Sequence, residues 1–162
     1  MPDASDERAI YEEYLRGAFH ETPLHRLLDL RFLEREPGTT VVEMPVRPDA
    51  LNGSGNLHGG AIATLVDVAA GSCAARASGF DPLKESLVTA DLHVRYLGRP
   101  KGDSVRAEAK VMRAGRMLIV IEIRVLDTLD NLIAFADFSA MIVSRREPLD
   151  PATPTDPRSP DI

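Results

Sequence analysis

Asp67 is the residue with the most to explain. It is the only charged side chain in residues 59–75, GGAIATLVDVAAGSCAA, which are apolar nearly all round. That pattern predicts a buried helix. An ionised carboxylate on a buried helix costs several kcal/mol unless partners satisfy it. Two explanations stand side by side. Asp67 caps a neighbouring loop or pairs with an arginine, or it is kept for acid–base or nucleophilic work. Ala63, Thr64, Ala70 and Gly71, one turn away, are small and leave space for a pocket beside it.

Directly upstream runs Asn52-Gly-Ser-Gly-Asn-Leu-His58-Gly59-Gly60, with four glycines in nine residues. The loop leads into the N-terminus of the expected helix. Backbone N–H groups there lack intrahelical partners and carry partial positive charge, so they can hold an anion or a developing oxyanion. A plain glycine-rich turn with His58 as a cap accounts for the same residues. Other constellations fail. There is no Gly-x-Ser-x-Gly, and Gly53, Gly55 and Gly59 do not satisfy GxGxxG. His20, His25, His58 and His93 show no metal-ligand spacing, so no metal is expected. Cys73, the single cysteine, sits among small residues and reads as core.

The elements that must position these residues follow from a period of two. Leu92, Val94 and Tyr96 alternate with Asp91, His93 and Arg95; Val105 to Val111 and Ile119 to Val125 alternate likewise, and residues 132–143 are strand-like. The connections at 98–102, 114–116 and 128–131 are too short for crossover helices, which predicts a four-strand antiparallel meander. A hairpin is expected upstream from residues 30–34 and 40–47. The expectation is α+β: one long central helix wrapped by an antiparallel sheet of about six strands.

The ends differ. Residues 5–19 read as an amphipathic helix with Ser5 as cap. Residues 145–162 hold five of the 12 prolines and read as a disordered tail. The expected division is an N-terminal extension over 1–23, one domain over 24–144 and the tail over 145–162. With 19 basic against 25 acidic residues the formal charge is −6, which argues against nucleic acid as a partner. No apolar run is long enough for a membrane span, and the acidic start lacks a signal-peptide core, so the cytoplasm is the expected compartment.

The order of hairpin, Asn-x5-His-Gly-Gly, buried helix with Leu-Val-Asp, and strands resembles the hotdog-fold acyl-CoA thioesterases, in particular the PaaI (phenylacetic acid degradation) type. The resemblance covers residues 24–144 and is carried by HGGAIATLVD and by LVTADLHVRYLGRPKGD. It implies that Asp67 is the catalytic carboxylate, either general base or nucleophile. It implies Gly59 as the oxyanion donor through its N–H and Asn52 as the group orienting the water or the carbonyl. His58 would fix the loop beside the thioester, and Thr89 would help hold the water. It implies acyl-CoA as substrate, no cofactor, and a homo-oligomer, a dimer or dimer of dimers, with each active site between two subunits. Coenzyme A carries phosphates, so Arg95, Arg99, Lys101, Arg113 and Arg116 become candidates for its recognition. A non-catalytic acyl-CoA-binding hotdog is the alternative, though a pure binder has no need of Asp67. A hotdog dehydratase would need a catalytic histidine placed differently.

Overall fold

In the computed structural model, the described residues are 22–36, 38–79, 81 and 84–145. The helix expected over 5–19, nearly all of the 1–23 extension and the tail beyond Arg145 lie outside them. Arg145 itself is tied to the body. Its N–H donates to Lys84 O and its Nε to Glu85 O.

A short helix α1 (Pro23–Leu27) leads into the hairpin of β1 (Arg31–Glu36) and β2 (Thr39–Pro45). The long helix α2 (Gly59–Ala77) follows, then β3 (Glu85–Tyr96), β4 (Ser104–Ala114), β5 (Leu118–Asp127) and β6 (Leu132–Ser144). The six strands form one antiparallel sheet in the order β1-β2-β4-β5-β6-β3.

The sheet wraps α2 because both surfaces are built from small and β-branched residues. From α2, Ala61, Ile62, Leu65, Val66, Ala69, Ala70, Cys73 and Ala74 are buried. They meet Ala107, Ala109, Ile119, Ile121, Ile123, Ala136 and Ala140 of the sheet. Alanines on both sides let helix and strands approach closely. Leu65 is fully buried at the middle of α2. Truncating such a leucine to alanine costs about 2–5 kcal/mol.

One expectation is corrected. The last four strands are not a meander: only β4-β5-β6 is, and β3 pairs with β6 at the far side. Seven residues, 97–103, join β3 to β4. At about 3.3 Å per residue they span the roughly 14 Å across three strand spacings. A short connection excludes a helix, but it does not oblige its two strands to be neighbours.

β3 therefore ends the sheet. Its outer edge has no strand beside it among the described residues, and Val88, Thr89, Ala90 and Asp91 are exposed. β5, with the same alternation in sequence, is buried at the centre with Ile119, Ile121, Ile123 and Val125 against α2.

Candidate active site

Asp67 lies halfway along α2 on the side facing β3, and the Thr89 hydroxyl donates to its Oδ1 at 3.1 Å. The two residues that the resemblance joined are thus brought together within one chain. Full burial of Asp67 was expected, and the single chain leaves it half-buried. The helix is covered by the sheet on one side only. Its Ala63, Thr64, Gly71 and Ser72 are also half-exposed.

A β-bulge aims Thr89. Thr89 is opposite Ala140 and Asp91 is opposite Ser139, so Ala90 is an extra residue with no partner in the β6 register. Inward-facing positions are odd before it and even after it. Thr89 and Tyr96 therefore both reach α2, while Asp91, His93 and Arg95 face away. A strict alternation puts Thr89 and Tyr96 on opposite faces.

The loop before α2 is folded on itself. Asn52 Oδ1 accepts from the Ser54 N–H at 3.0 Å, the Ser54 hydroxyl at 2.7 Å and the Asn56 N–H at 3.1 Å. Its carbonyl oxygen is spent on holding the loop, so any contact to a substrate falls to its amide NH₂. Gly55, at φ +73°, takes the left-handed turn that this loop requires. The His58 N–H donates to Ala50 O at 2.7 Å. Its Nδ1 accepts from the Gly60 N–H at 2.8 Å and caps the helix. Nδ1 as acceptor puts the proton of the neutral ring on Nε2, and the residue is exposed. The Gly59 N–H has no acceptor among the described residues, as befits a first-turn donor.

Tyr96 is the residue that sequence reasoning missed. Its hydroxyl donates to Gly59 O at 3.1 Å, and its ring lies against Gly59. On a strand with an apolar inner face it passed for core. The signal available was a hydroxyl-bearing aromatic at a strand end, in a chain with only 5% aromatics.

The loop after β3 is also held from below. Asp127, fully buried at the end of β5, accepts from the N–H groups of Lys101, Leu129 and Asn131 and from the Asn131 amide. Burial alone would push the Asp127 carboxyl up; these donors outweigh it and hold the carboxyl down at about 2. The Thr128 hydroxyl donates to Lys101 O at 3.0 Å. Both sides of Lys101 in the backbone are thereby fixed, while its side chain is exposed, as is that of Arg99.

The five basic candidates separate. Arg99 and Lys101 lie beyond the Tyr96 end of β3. Arg113 and Arg116 lie at the β4–β5 turn, next to the other end: Met117 O accepts from Ile142 N–H, and Ile142 is opposite Leu87. Arg95 faces away from α2 and pairs with Asp137 at 2.9 Å. Among the described residues no three His, Cys, Asp or Glu side chains converge on a metal position. No helix among them is long and apolar enough to cross a membrane.

Three comparisons bear on this arrangement. The description of the thioesterase superfamily matches residues 54–134, from the glycine loop to β6. A protein of Halobacterium salinarum named "Putative esterase" is 32% identical over 132 residues, 80% of this chain and 83% of that protein. Among solved structures, the Escherichia coli PaaI protein of the phenylacetic acid degradation operon superimposes with a TM-score of 0.72. It is 19% identical and covers 83% of this chain and 94% of its own. A Pseudomonas aeruginosa thioesterase superimposes at 0.74 with 22% identity, over 82% and 93%. At those identities the two structures speak for the fold, which is the hotdog fold.

Proposed function

The chain belongs to the thioesterase superfamily and is a thioester hydrolase, and we propose that it cleaves acyl- or aryl-coenzyme A with Asp67 as the catalytic carboxylate. The observation that carries this is the Thr89 hydroxyl on Asp67 Oδ1, on a strand whose outer edge is unpaired among the described residues. A carboxylate on the middle of a helix whose one other charged side chain is Arg76 in the last turn, held by one hydroxyl and half-open, suits a group that must reach a water or a thioester carbon.

Hydrolysis also needs a donor for the oxyanion. The Gly59 N–H suits that task, but not for the Asp67 of its own chain. Eight residues of α2 separate them, a rise of about 12 Å, whereas a base and an oxyanion donor each sit about 3 Å from the reacting atoms. A second copy resolves the distance. Antiparallel pairing of β3 with its twin sets the Tyr96 end of one strand against the Glu85 end of the other. The α2 N-terminus of one copy then approaches Asp67 and Thr89 of the other. The same pairing brings Arg99 and Lys101 of one copy to the end that carries Arg113 and Arg116 of the other. Four cations around one opening suit the phosphates of coenzyme A. Arg95, facing away and engaged with Asp137, is the least suited of the five.

In this mechanism Asp67 either takes a proton from a water held by Thr89 or attacks the carbonyl carbon itself. The Gly59 N–H of the second copy takes up the charge on the carbonyl oxygen. The Asn52 amide and the His58 Nε2–H orient the thioester, and coenzyme A leaves as thiolate. In the general-base route the proton held by Asp67 passes to that thiolate and the acid is released. In the nucleophile route a water then cleaves the acyl–Asp67 anhydride, which frees the acid and restores the carboxylate.

The test is a turnover screen over aryl-, short-, medium- and long-chain acyl-CoA with the wild type and Asp67→Asn. The expected loss in kcat is about two to four powers of ten, with melting temperature and oligomer kept. Near-normal turnover in a well-folded Asp67→Asn removes Asp67 from the mechanism. Binding of acyl-CoA without turnover by the wild type favours the binding-module alternative.

A further inference from the structure

We infer that Tyr96 is a positioning residue for the oxyanion site, gripping the first peptide of α2 from one end while His58 grips it from the other. The inference rests on the thioesterase reading above, in which the Gly59 N–H receives the oxyanion.

The peptide in question joins Gly59 to Gly60. Its oxygen accepts from the Tyr96 hydroxyl at 3.1 Å, and its N–H donates to His58 Nδ1 at 2.8 Å. A peptide unit is planar, so fixing its oxygen and its N–H fixes the unit. The preceding unit, which carries the Gly59 N–H, lies between this clamped peptide and the His58 N–H, itself bonded to Ala50 O at 2.7 Å. One turn on, Gly60 O accepts from the Thr64 hydroxyl at 2.9 Å. Two adjacent glycines are the least constrained start a helix can have. Here that freedom is removed by side chains on both sides.

The glycines leave room for both grips. A Cβ on Gly60 would stand 3.0 Å from His58 Nδ1, so the imidazole would have to shift by a few tenths of an ångström. A Cβ on Gly59 would rest on the Tyr96 ring at 3.4 Å, an ordinary contact. Tyr96 is 54% exposed and contributes little to the core, so a phenylalanine would serve equally if packing were its task. What requires the phenol is the Gly59 carbonyl. The two bonds also lie in line through one amide, so each polarises the other.

The experiment compares wild type, Tyr96→Phe, His58→Ala and the double variant in one series with Asp67→Asn. It reads kcat and KM on the best acyl-CoA of the screen, melting temperature, and hydrogen exchange of the Gly60 amide. Tyr96→Phe is expected to lower kcat about tenfold, below the roughly 100- to 1000-fold loss of a whole oxyanion donor. KM and melting temperature stay near wild type, and the Gly60 amide exchanges faster. The double variant is expected to lose little more than the worse single one, because both grips act through one peptide. An unchanged kcat in Tyr96→Phe overturns the inference, as does a double variant whose losses multiply in full. A fall in kcat that only tracks a fall in melting temperature overturns it too. If Asp67→Asn keeps its turnover, the thioesterase reading of the site fails, and this inference with it.

Discussion

The Tyr96 end of β3 and the middle of the same strand are finished to different degrees. At the Tyr96 end several polar groups have partners within the chain. The tyrosine hydroxyl is on Gly59, the following loop is fastened through Lys101 to Asp127 and Thr128, and the Leu97 and Gly98 N–H groups both donate to Ile133 O. In the middle of the strand, Val88 to Asp91 are exposed, and the outer backbone edge has no strand beside it among the described residues. A bare edge of this length is a pairing hazard that folded proteins cover. Under the shared-site proposal the contrast is a division of labour: one chain positions its own donors, and a second chain closes the pocket.

The largest effect should come from breaking the open middle of the strand. Ala90 has no partner in the β6 register, so Ala90→Pro removes no paired residue from that ladder while putting a proline ring on the edge strand. Light scattering should move from a dimer or larger to a species near 17.7 kDa, with turnover down more than tenfold. A variant that stays oligomeric and active would show that the edge is not where copies meet.

The finished end is probed by acid. The Asp127 carboxyl lies below its ordinary value of 3.8, at about 2, so the folded state favours its ionised form. Stability from Asp127 is therefore fully present above pH 4 and lost as pH falls from about 4 towards 2. Asp127→Asn should lower the melting temperature at pH 7, and the gap from wild type should shrink below pH 4. The variant should also raise KM for acyl-CoA more than it lowers kcat, because the loop it loosens carries Arg99 and Lys101. A gap constant from pH 7 to pH 2 would show that Asp127 contributes by shape alone.

The smallest effect lies away from both regions. Burial pushes the Cys73 thiol up to about 11, and it is fully enclosed under β4, with Sγ 3.7 Å from Ala109 O. Iodoacetamide at pH 8 should leave the folded protein unlabelled and turnover unchanged. Rapid labelling would mean that α2 separates readily from the sheet.

What could be read from the sequence followed from local pattern. The apolar helix with Asp67, the inward rows of β4 and β5 and the His58 cap all rest on residues a few positions apart. The partner of β3 could not be read that way. It depends on how far a sheet curls around a helix of alanines, which sets where the strand can land. The bulge at Ala90 was hidden for a related reason: alternation in 91–96 is regular by itself, and only the contact of Thr89 with Asp67 reveals the change of phase. Asn52 was expected to orient the water or the carbonyl; its side-chain oxygen is engaged by Ser54 and Asn56, a competition that spacing alone does not register.

The bulge has a further consequence for inheritance. Because it turns both Thr89 and Tyr96 toward α2, one strand equips two different sites under the shared-site proposal: Thr89 with Asp67 in one, Tyr96 with Gly59 in the other. Damage to these two halves is then carried by separate sites whenever the chains differ. A cell holding one allele crippled at Asp67 and another crippled at the α2 N-terminus would still assemble mixed dimers with one intact site and one doubly broken. Such alleles would complement each other, with about a quarter of full activity if chains mix at random. Two alleles damaged in the same half would not.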